Sequence, residues 1–436
     1  MKQFFLYTLL LCFIWSCTPS DENSPAPTEV FVKYYGQGTN EAVDLARTST
    51  GEIIILGSNI QSESQDFYLL KVDAEGNEVA SEVYDLKSGS TDIPLKMKPL
   101  GFNSTTGLDE FLLVGYIQSR DASGLDFFEG AWCKIDADLN IISTGSDSSR
   151  FNLLENVITT DIIRTTETDG VEKFVVLGHS RQTFAGDPVS DGGYQIYLTK
   201  VDDQGEVYWS KSHGYLGDEE SLALFENADR SLVIVGSTEA GADGRNVYVI
   251  ETNSLGTSDK NAPRIVINNS VSGADETPTA AIKSSLGYSI VGYTTGVNGQ
   301  MAGFHVAITP SGDMVANSNN VLETDYSLPC QALALTKTIY NDLMVLGSIP
   351  NFRETTGEGT AGANKLEQIL LMRVSPLSGH IEGFDQNYGT TVGNDQARAA
   401  ITLPDGDILV AATIDFGSGT SMLGLLRLNR NGELKD

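Results

Sequence analysis

Glutamate recurs at one place in this sequence. Glu41, Glu220 and Glu276 each stand sixteen residues before a glycine that closes an apolar run, respectively Gly57, Gly236 and Gly292. Gln331 and Gln396 hold the same place before Gly347 and Ala412. Asp92 joins them if the turn ahead of Gly115 is longer, and Glu155 or Asn156 fills the remaining copy. Carboxylates gathered at one mouth attract a cation, and their oxygens suit Ca²⁺. Glutamine keeps the acceptor oxygen but not the charge, so the column is read first as acceptors that bond backbone turns, with Ca²⁺ at an acidic mouth as the alternative. Arg120, Arg181, Arg245 and Arg353 fall in long connecting segments, with Tyr116 and Tyr293 nearby. A guanidinium there can anchor a carboxylate, a sulfate or an acidic glycan, or it can be a solvated loop charge. His179, His213 and His305 occupy columns where other copies carry Ser or Tyr and read as structural, while His380 lies in a turn near the opposite face. No two histidines have the spacing of zinc ligands, and no nucleophile elbow or phosphate loop occurs. The alternating Asp136-Ala137-Asp138-Leu139-Asn140 suggests a calcium loop but aligns with Asp73 to Asn77, and is read as a turn.

Such distant residues can meet only if a repeat brings them together, and one is present. GTNEAVDLARTSTGEIIILGS followed by DFYLLKVDAEGNEV returns as GDEESLALFENADRSLVIVGS with RNVYVIETNSLG, as GADETPTAAIKSSLGYSIVGY with AGFHVAITPSGDMV, and as GNDQARAAITLPDGDILVAA with MLGLLRLNRNGEL. Looser copies are EFLLVGY with GAWCKIDADLN, KFVVLGH with QIYLTKVDDQGEVYW, and DLMVLGS with QILLMRVSPLSG. The closing position falls at Gly57, Gly115, Gly178, Gly236, Gly292, Gly347 and Ala412. Short runs of Val, Ile, Leu, Phe and Tyr alternate with turn chemistry, and no helical period is sustained. The fold class expected is all-β. Four strands per unit, repeated seven times, predict a seven-bladed β-propeller. The last unit stops one strand short, while Glu29 to Gly36 (EVFVKYYG) matches fourth-strand segments such as EVYWSKSHG. The N-terminal strand is therefore expected to pair into the last blade and close the ring.

The first residues, MKQFFLYTLLLCFIWSC, carry Lys2 and then an apolar stretch too short to span a bilayer. Ile14-Trp15-Ser16-Cys17 resembles a bacterial lipobox, with Trp15 in place of the usual small residue. The resemblance implies a signal peptide over 1–16, a lipidated Cys17 that opens a polar tether over 17–28, and a propeller over 29–436. With its repeats, the chain resembles the bacterial tandem-repeat β-propeller lipoproteins, which implies a cell-envelope address on the outer membrane. Cys133 and Cys330 remain in the folded part and are read as buried free thiols.

The chain has 436 residues with 28 basic and 58 acidic side chains, a formal charge of -30, which repels nucleic acid. The longest connections, 117–129, 180–193 and 349–365, lie on one predicted face, the default place for binding. The expectation is a non-enzymatic binding or scaffold propeller for a protein partner or glycan, held to the membrane by its lipid and needing no cofactor. Its candidate ligand-binding residues are Glu41, Asp92, Arg181, Glu220, Arg245, Glu276, Tyr293, Arg353 and Gln396. The alternative is a polysaccharide lyase or glycoside hydrolase using Glu220, Glu276, His179 and Tyr293. A quinone propeller, prompted by DDQGEVYW, finds too little support in the other copies.

Overall fold

The computed structural model describes residues 30–434 apart from 37, 62–63, 121–123, 125, 143–151, 166–170, 182–192, 215–216, 240–243, 259–263, 266–273, 298–299, 326–327, 351–365 and 418. Cys17 and Arg353 lie outside the described residues. The fold is all-β. Thr39–Arg47, Ile53–Gln61, Ser64–Val72 and Glu78–Tyr84 form the first antiparallel group, and Thr91–Asn103, Leu108–Arg120, Asp126–Asp136 and Asn152–Glu155 the second. A single parallel bridge from Gln65 to Thr91 joins these two. The third sheet is Ile158–Thr165, Lys173–Ser180, Gln195–Asp202 and Val207–His213, and the fourth Glu219–Glu226, Leu232–Thr238, Asn246–Thr252 and Arg264–Ile265. The fifth is Asp275–Ser284, Gly287–Val297, Gln300–Ile308 and Asn320–Leu322. In the sixth, Gln331–Lys337, Leu343–Pro350 and Glu367–Ser375 are followed by Gly379–His380 and Gln386–Tyr388, both paired to Glu367–Ser375. The last holds Gln396–Thr402, Ile408–Asp415 and Ser421–Leu428, and Phe31–Tyr35 from the other end of the chain adds a fourth strand, with Phe31 beside Arg427 and Tyr35 beside Leu423.

Burial explains why the strands are apolar runs. Every residue of Leu232–Thr238 is buried, whereas Glu78–Tyr84 is largely exposed. A second strand sandwiched between neighbouring sheets has no solvent face, so it reads as continuous Val, Ile and Leu. The apolar clusters lie between sheets. Leu112, Val114 and Trp132 pack on Phe174 and Val176, and Phe225 and Val235 on Tyr288 and Phe304. Leu45, Ile55 and Leu70 pack on Leu409, Ala411 and Leu423, joining the first sheet to the last. The first strands follow one another in contact, and Thr39–Arg47 touches Gln396–Thr402.

The glycine column has a steric cause. Each first strand carries a bulge at one place, between Ala42 and Asp44, Pro94 and Lys96, Thr159 and Asp161, and so on to Ala397 and Ala399. The bulge pushes a carbonyl towards the second strand, so a Cβ on Gly57 would lie 2.5 Å from the Glu41 carbonyl oxygen, and one on Gly178 2.5 Å from that of Ile158. In the outer turns, Asp73 Oδ1 accepts the N–H groups of Glu75 and Asn77, and Asp136 Oδ1 those of Asp138 and Asn140, so the sequence that suggests a calcium loop is a turn. The Tyr35 hydroxyl donates to the Gly76 carbonyl at 2.6 Å, Tyr388 to Gly432 at 2.6 Å, and His213 Nε2 to Gly256 at 2.9 Å. The imidazole thus does a tyrosine's structural work. Cys133 and Cys330 are buried free thiols.

Candidate functional site

The acidic column divides in two. Glu41, Glu220, Gln331 and Gln396 pair with Ser58, Ser237, Ser348 and Thr413, each one residue beyond the closing position. Glu276 pairs instead with Thr294, two beyond Gly292, and Asp92 with Ile117, two beyond Gly115. The physical reason in the fifth sheet is its hairpin. Ser284 pairs directly with Gly287 across a two-residue turn, whereas the first sheet spans Arg47 to Ile53, so counting from the glycine overshoots by one. Glu276 and Asp92 therefore belong with Asn40, Glu219 and Asp395, a second set that is buried at 2 % exposure or less.

That buried set accepts hydrogen bonds from its own surroundings. Asp92 takes the Leu86 N–H at 2.6 Å and the Ser90 hydroxyl at 2.7 Å, and Asp395 takes the N–H groups of Asp415 and Thr390. Asn40 accepts from the Asn59 amide, and Glu219 from the Thr238 hydroxyl. Burial raises the Asp92 and Asp395 carboxyls, and it lifts Glu276 to about 7, against a Thr294 hydroxyl contact at 3.4 Å that lowers it. Because the folded value lies above the unfolded one, Glu276 stabilises the fold below about pH 4.5, and that contribution is lost as pH rises through about 7. Glu276→Gln is accordingly expected to raise stability at pH 8 by about 1–2 kcal/mol and to change it little at pH 4. Urea unfolding at the two pH values reads this; an equal effect at both would remove the burial argument.

The other set, half-buried, opens on the edge where second strands end and third strands begin. Over the third and fourth sheets it meets charged and aromatic side chains. Arg245 lies between two carboxylates, with Nη1 2.5 Å from Glu220 Oε2 and Nη2 2.8 Å from Glu239 Oε1. Its own backbone is fixed to the fifth sheet, N–H to Asp275 Oδ1 and carbonyl to the Glu276 N–H. Arg181 stacks its guanidinium over the Tyr194 ring at 4.5 Å, and that ring meets His179 edge-on at 5.3 Å. His179 Nδ1 accepts the Ser221 N–H at 3.3 Å and lies 3.2 Å from its hydroxyl, which reaches Thr160 at 2.7 Å. Burial pulls the imidazole down to about 4, so it is neutral at pH 7. Tyr116 packs against Phe128 at 6.0 Å.

Three of the residues expected from the sequence, Arg181, Glu220 and Arg245, are thus brought to adjoining sheets, together with His179. Tyr293 is half-buried and pairs with Thr277, Gln396 donates to Glu367 at 2.9 Å, and Glu41 is half-buried in the first sheet. Arg245 is an arginine already paired, and Arg120 likewise pairs with Asp126 at 3.3 Å. Tyr194, Ser221 and Glu239 were not among the sequence candidates. Tyr194 and Glu239 sit at strand ends beside long variable connections, where a repeat alignment has no column to mark them.

No family model matches the chain, and no curated protein matches it. Solved structures do. A protein of unknown function from Dyadobacter fermentans is similar at 11% identity, over 93% of this chain and 100% of that one, with a TM-score of 0.49. A virginiamycin B lyase from Staphylococcus aureus, caught with quinupristin, is similar at 12% identity over 92% and 99%, TM-score 0.44. A GH93 α-L-arabinofuranosidase of Fusarium graminearum with arabinobiose is similar at 10% identity over 94% and 97%, TM-score 0.43. The lyase and the arabinofuranosidase are β-propeller-type proteins. At these values the likenesses carry no residue and no activity to this chain.

Proposed function

We propose that the seven strand groups are the blades of one propeller, closed by Phe31–Tyr35 in the last blade, and that Cys17 carries a lipid that holds it to the outer membrane. In this reading the edge over the third and fourth blades binds a glycan without turning it over. The closure is supported by the pairing of Phe31–Tyr35 with Ser421–Leu428 and by the shared core of first and last sheets. The anchor is supported by the Cys17 motif. Binding rests on one observation: the run of Arg181, Tyr194 and His179 set beside the paired Glu220, Arg245 and Glu239. A half-buried aromatic gives a sugar ring an apolar face, and fixed carboxylates and a guanidinium beside it accept and donate to hydroxyls. A protein partner would use the same edge.

The test is a glycan array probed with the purified protein, parent against Arg181→Ala with Tyr194→Ala. At least about a tenfold loss of affinity for whatever the parent binds is expected. Equal binding by the two proteins, with the fold checked by circular dichroism, refutes this site. A second reading, a lyase or hydrolase, rests on the Glu220 carboxylate set at this edge beside Arg245 and the neutral His179. Cleavage of a bound glycan that disappears in Glu220→Gln would make the edge a catalytic one.

A further inference from the structure

Three side chains of metal-ligating type converge between the fifth and sixth sheets, apart from the residues of the proposed glycan edge. Asp325 comes from the connection into the sixth sheet, His380 from the short strand Gly379–His380, and Asp385 from the segment before Gln386–Tyr388. His380 Nε2 lies 2.7 Å from Asp385 Oδ1 and 3.9 Å from Asp325 Oδ1, and one ligand atom from each residue lies within 4.8 Å of the others. Both carboxylates are fixed through their far oxygens. Asp325 Oδ2 accepts the N–H groups of Gly383 at 2.9 Å and Asp385 at 3.2 Å, and Asp385 Oδ2 accepts the Asp325 N–H at 2.7 Å. The near oxygens are therefore turned to the imidazole by backbone and not by the imidazole alone. That is the outer support that orients ligands in a metal site.

A histidine–aspartate ion pair needs Asp385 alone, yet the backbone holds Asp325 Oδ1 facing the same nitrogen at 3.9 Å. Exposure is graded across the three, with the Asp385 side chain at 0%, His380 at 10% and Asp325 at 24%, so the group is closed on one side and open on the other. On the open side lies a cavity of about 490 Å³ lined by Asp325 and His380 and by Glu323, Thr324, Ser378 and Glu382. It offers further oxygen donors and room for water. An ion about 2.0–2.2 Å from each ligand atom needs the 2.7 Å gap widened by under about 1 Å, which a small rotation of the imidazole supplies. The strongly negative charge of the chain favours any cation.

We propose that Asp325, His380 and Asp385 bind one first-row divalent cation, of the Zn²⁺ or Mn²⁺ kind, with its open coordination positions facing this cavity. An imidazole nitrogen with two carboxylates suits such an ion, whereas Ca²⁺ takes oxygen ligands. The site stands independently of the glycan reading, and its failure would leave that reading untouched.

Chelator-treated full-length protein titrated with ZnCl₂ in a calorimeter is expected to take up one equivalent at this site. His380→Ala and Asp325→Asn should each weaken that uptake at least about tenfold while near-ultraviolet circular dichroism stays that of the parent. Co²⁺ added to the unsubstituted protein should shift the ring-proton resonances of one histidine among the four in the chain, which reads the site without any substitution. No uptake, uptake unchanged in the folded His380→Ala protein, Ca²⁺ bound as tightly as Zn²⁺, or no shifted histidine resonance with Co²⁺ would each overturn the assignment.

Discussion

Deleting residues 30–36 is expected to leave a chain that aggregates or unfolds at a far lower urea concentration than the parent. The deleted strand pairs with Ser421–Leu428 over five residue positions, from Phe31 beside Arg427 to Tyr35 beside Leu423. Tyr35 is buried and its hydroxyl holds the Gly76 carbonyl, while Lys33 Nζ reaches the Glu75 carbonyl at 2.5 Å. Several hydrogen bonds at about 1 kcal/mol each and one buried tyrosine at about 2 kcal/mol give a loss of roughly 5 kcal/mol. That is comparable to the whole stability of many domains. The deletion also exposes an unpaired edge on Ser421–Leu428, an invitation to association. The decisive control moves the deleted VFVKYYG to follow the Asn429–Glu433 turn. The antiparallel register places Phe31 nearest that turn, so the permuted chain has its last sheet in consecutive order and should recover the parent's unfolding midpoint. A permuted chain as unstable as the deletion would show that the contribution of this strand depends on joining the two ends, not on its pairing.

The all-β class is legible because two-sided burial leaves continuous Val, Ile and Leu runs at a fixed repeat, and because a bulge carbonyl crowds one point in each, which is glycine from Gly57 to Gly347 and takes nothing larger than Ala412 in the last sheet. What the repeat cannot convey is a one-residue change within a hairpin. The two-residue turn between Ser284 and Gly287 moves Glu276 from the half-buried column into the buried one without altering its distance from Gly292 in sequence. Arg245 reads as a free anion anchor until Glu220, twenty-five residues earlier, and Glu239 are seen beside it. The Asp325, His380 and Asp385 group is invisible for the same reason: Asp325 belongs to the connection from the preceding unit. Pairings that cross from one sheet to the next carry no signature in a self-comparison, which aligns each sheet only with its copies.

Asp161 is the clearest cross-sheet case, and its loss is expected to be among the most damaging of single substitutions. The side chain is fully buried, at the residue where pairing resumes after the bulge in the third sheet. Its Oδ1 accepts the Ile162 N–H at 2.8 Å and lies 3.1 Å from Lys98 Nζ, and its Oδ2 accepts the Leu224 N–H at 2.9 Å and lies 3.6 Å from Lys96 Nζ. One carboxylate thus ties its sheet to the second through two lysines and to the fourth through a backbone amide. Asp44 does the same between the first two sheets, accepting the Leu45 and Met97 N–H groups. Burial pulls the Lys96 ammonium below its ordinary value, and the Asp161 charge opposes that. Asp161→Ala leaves the Leu224 amide without its acceptor and leaves two neighbouring ammonium groups with only the Asp44 carboxylate as counter-charge, so a loss of about 3–5 kcal/mol is expected in urea unfolding. Adding Lys96→Met to Asp161→Asn should return part of it, since the second change removes the like charge and the asparagine oxygen still accepts an N–H. A loss below about 1 kcal/mol for Asp161→Ala would mean that the lysines and amides find water in place of the carboxylate, and that the space between the first strands is wet enough to make the bridge dispensable.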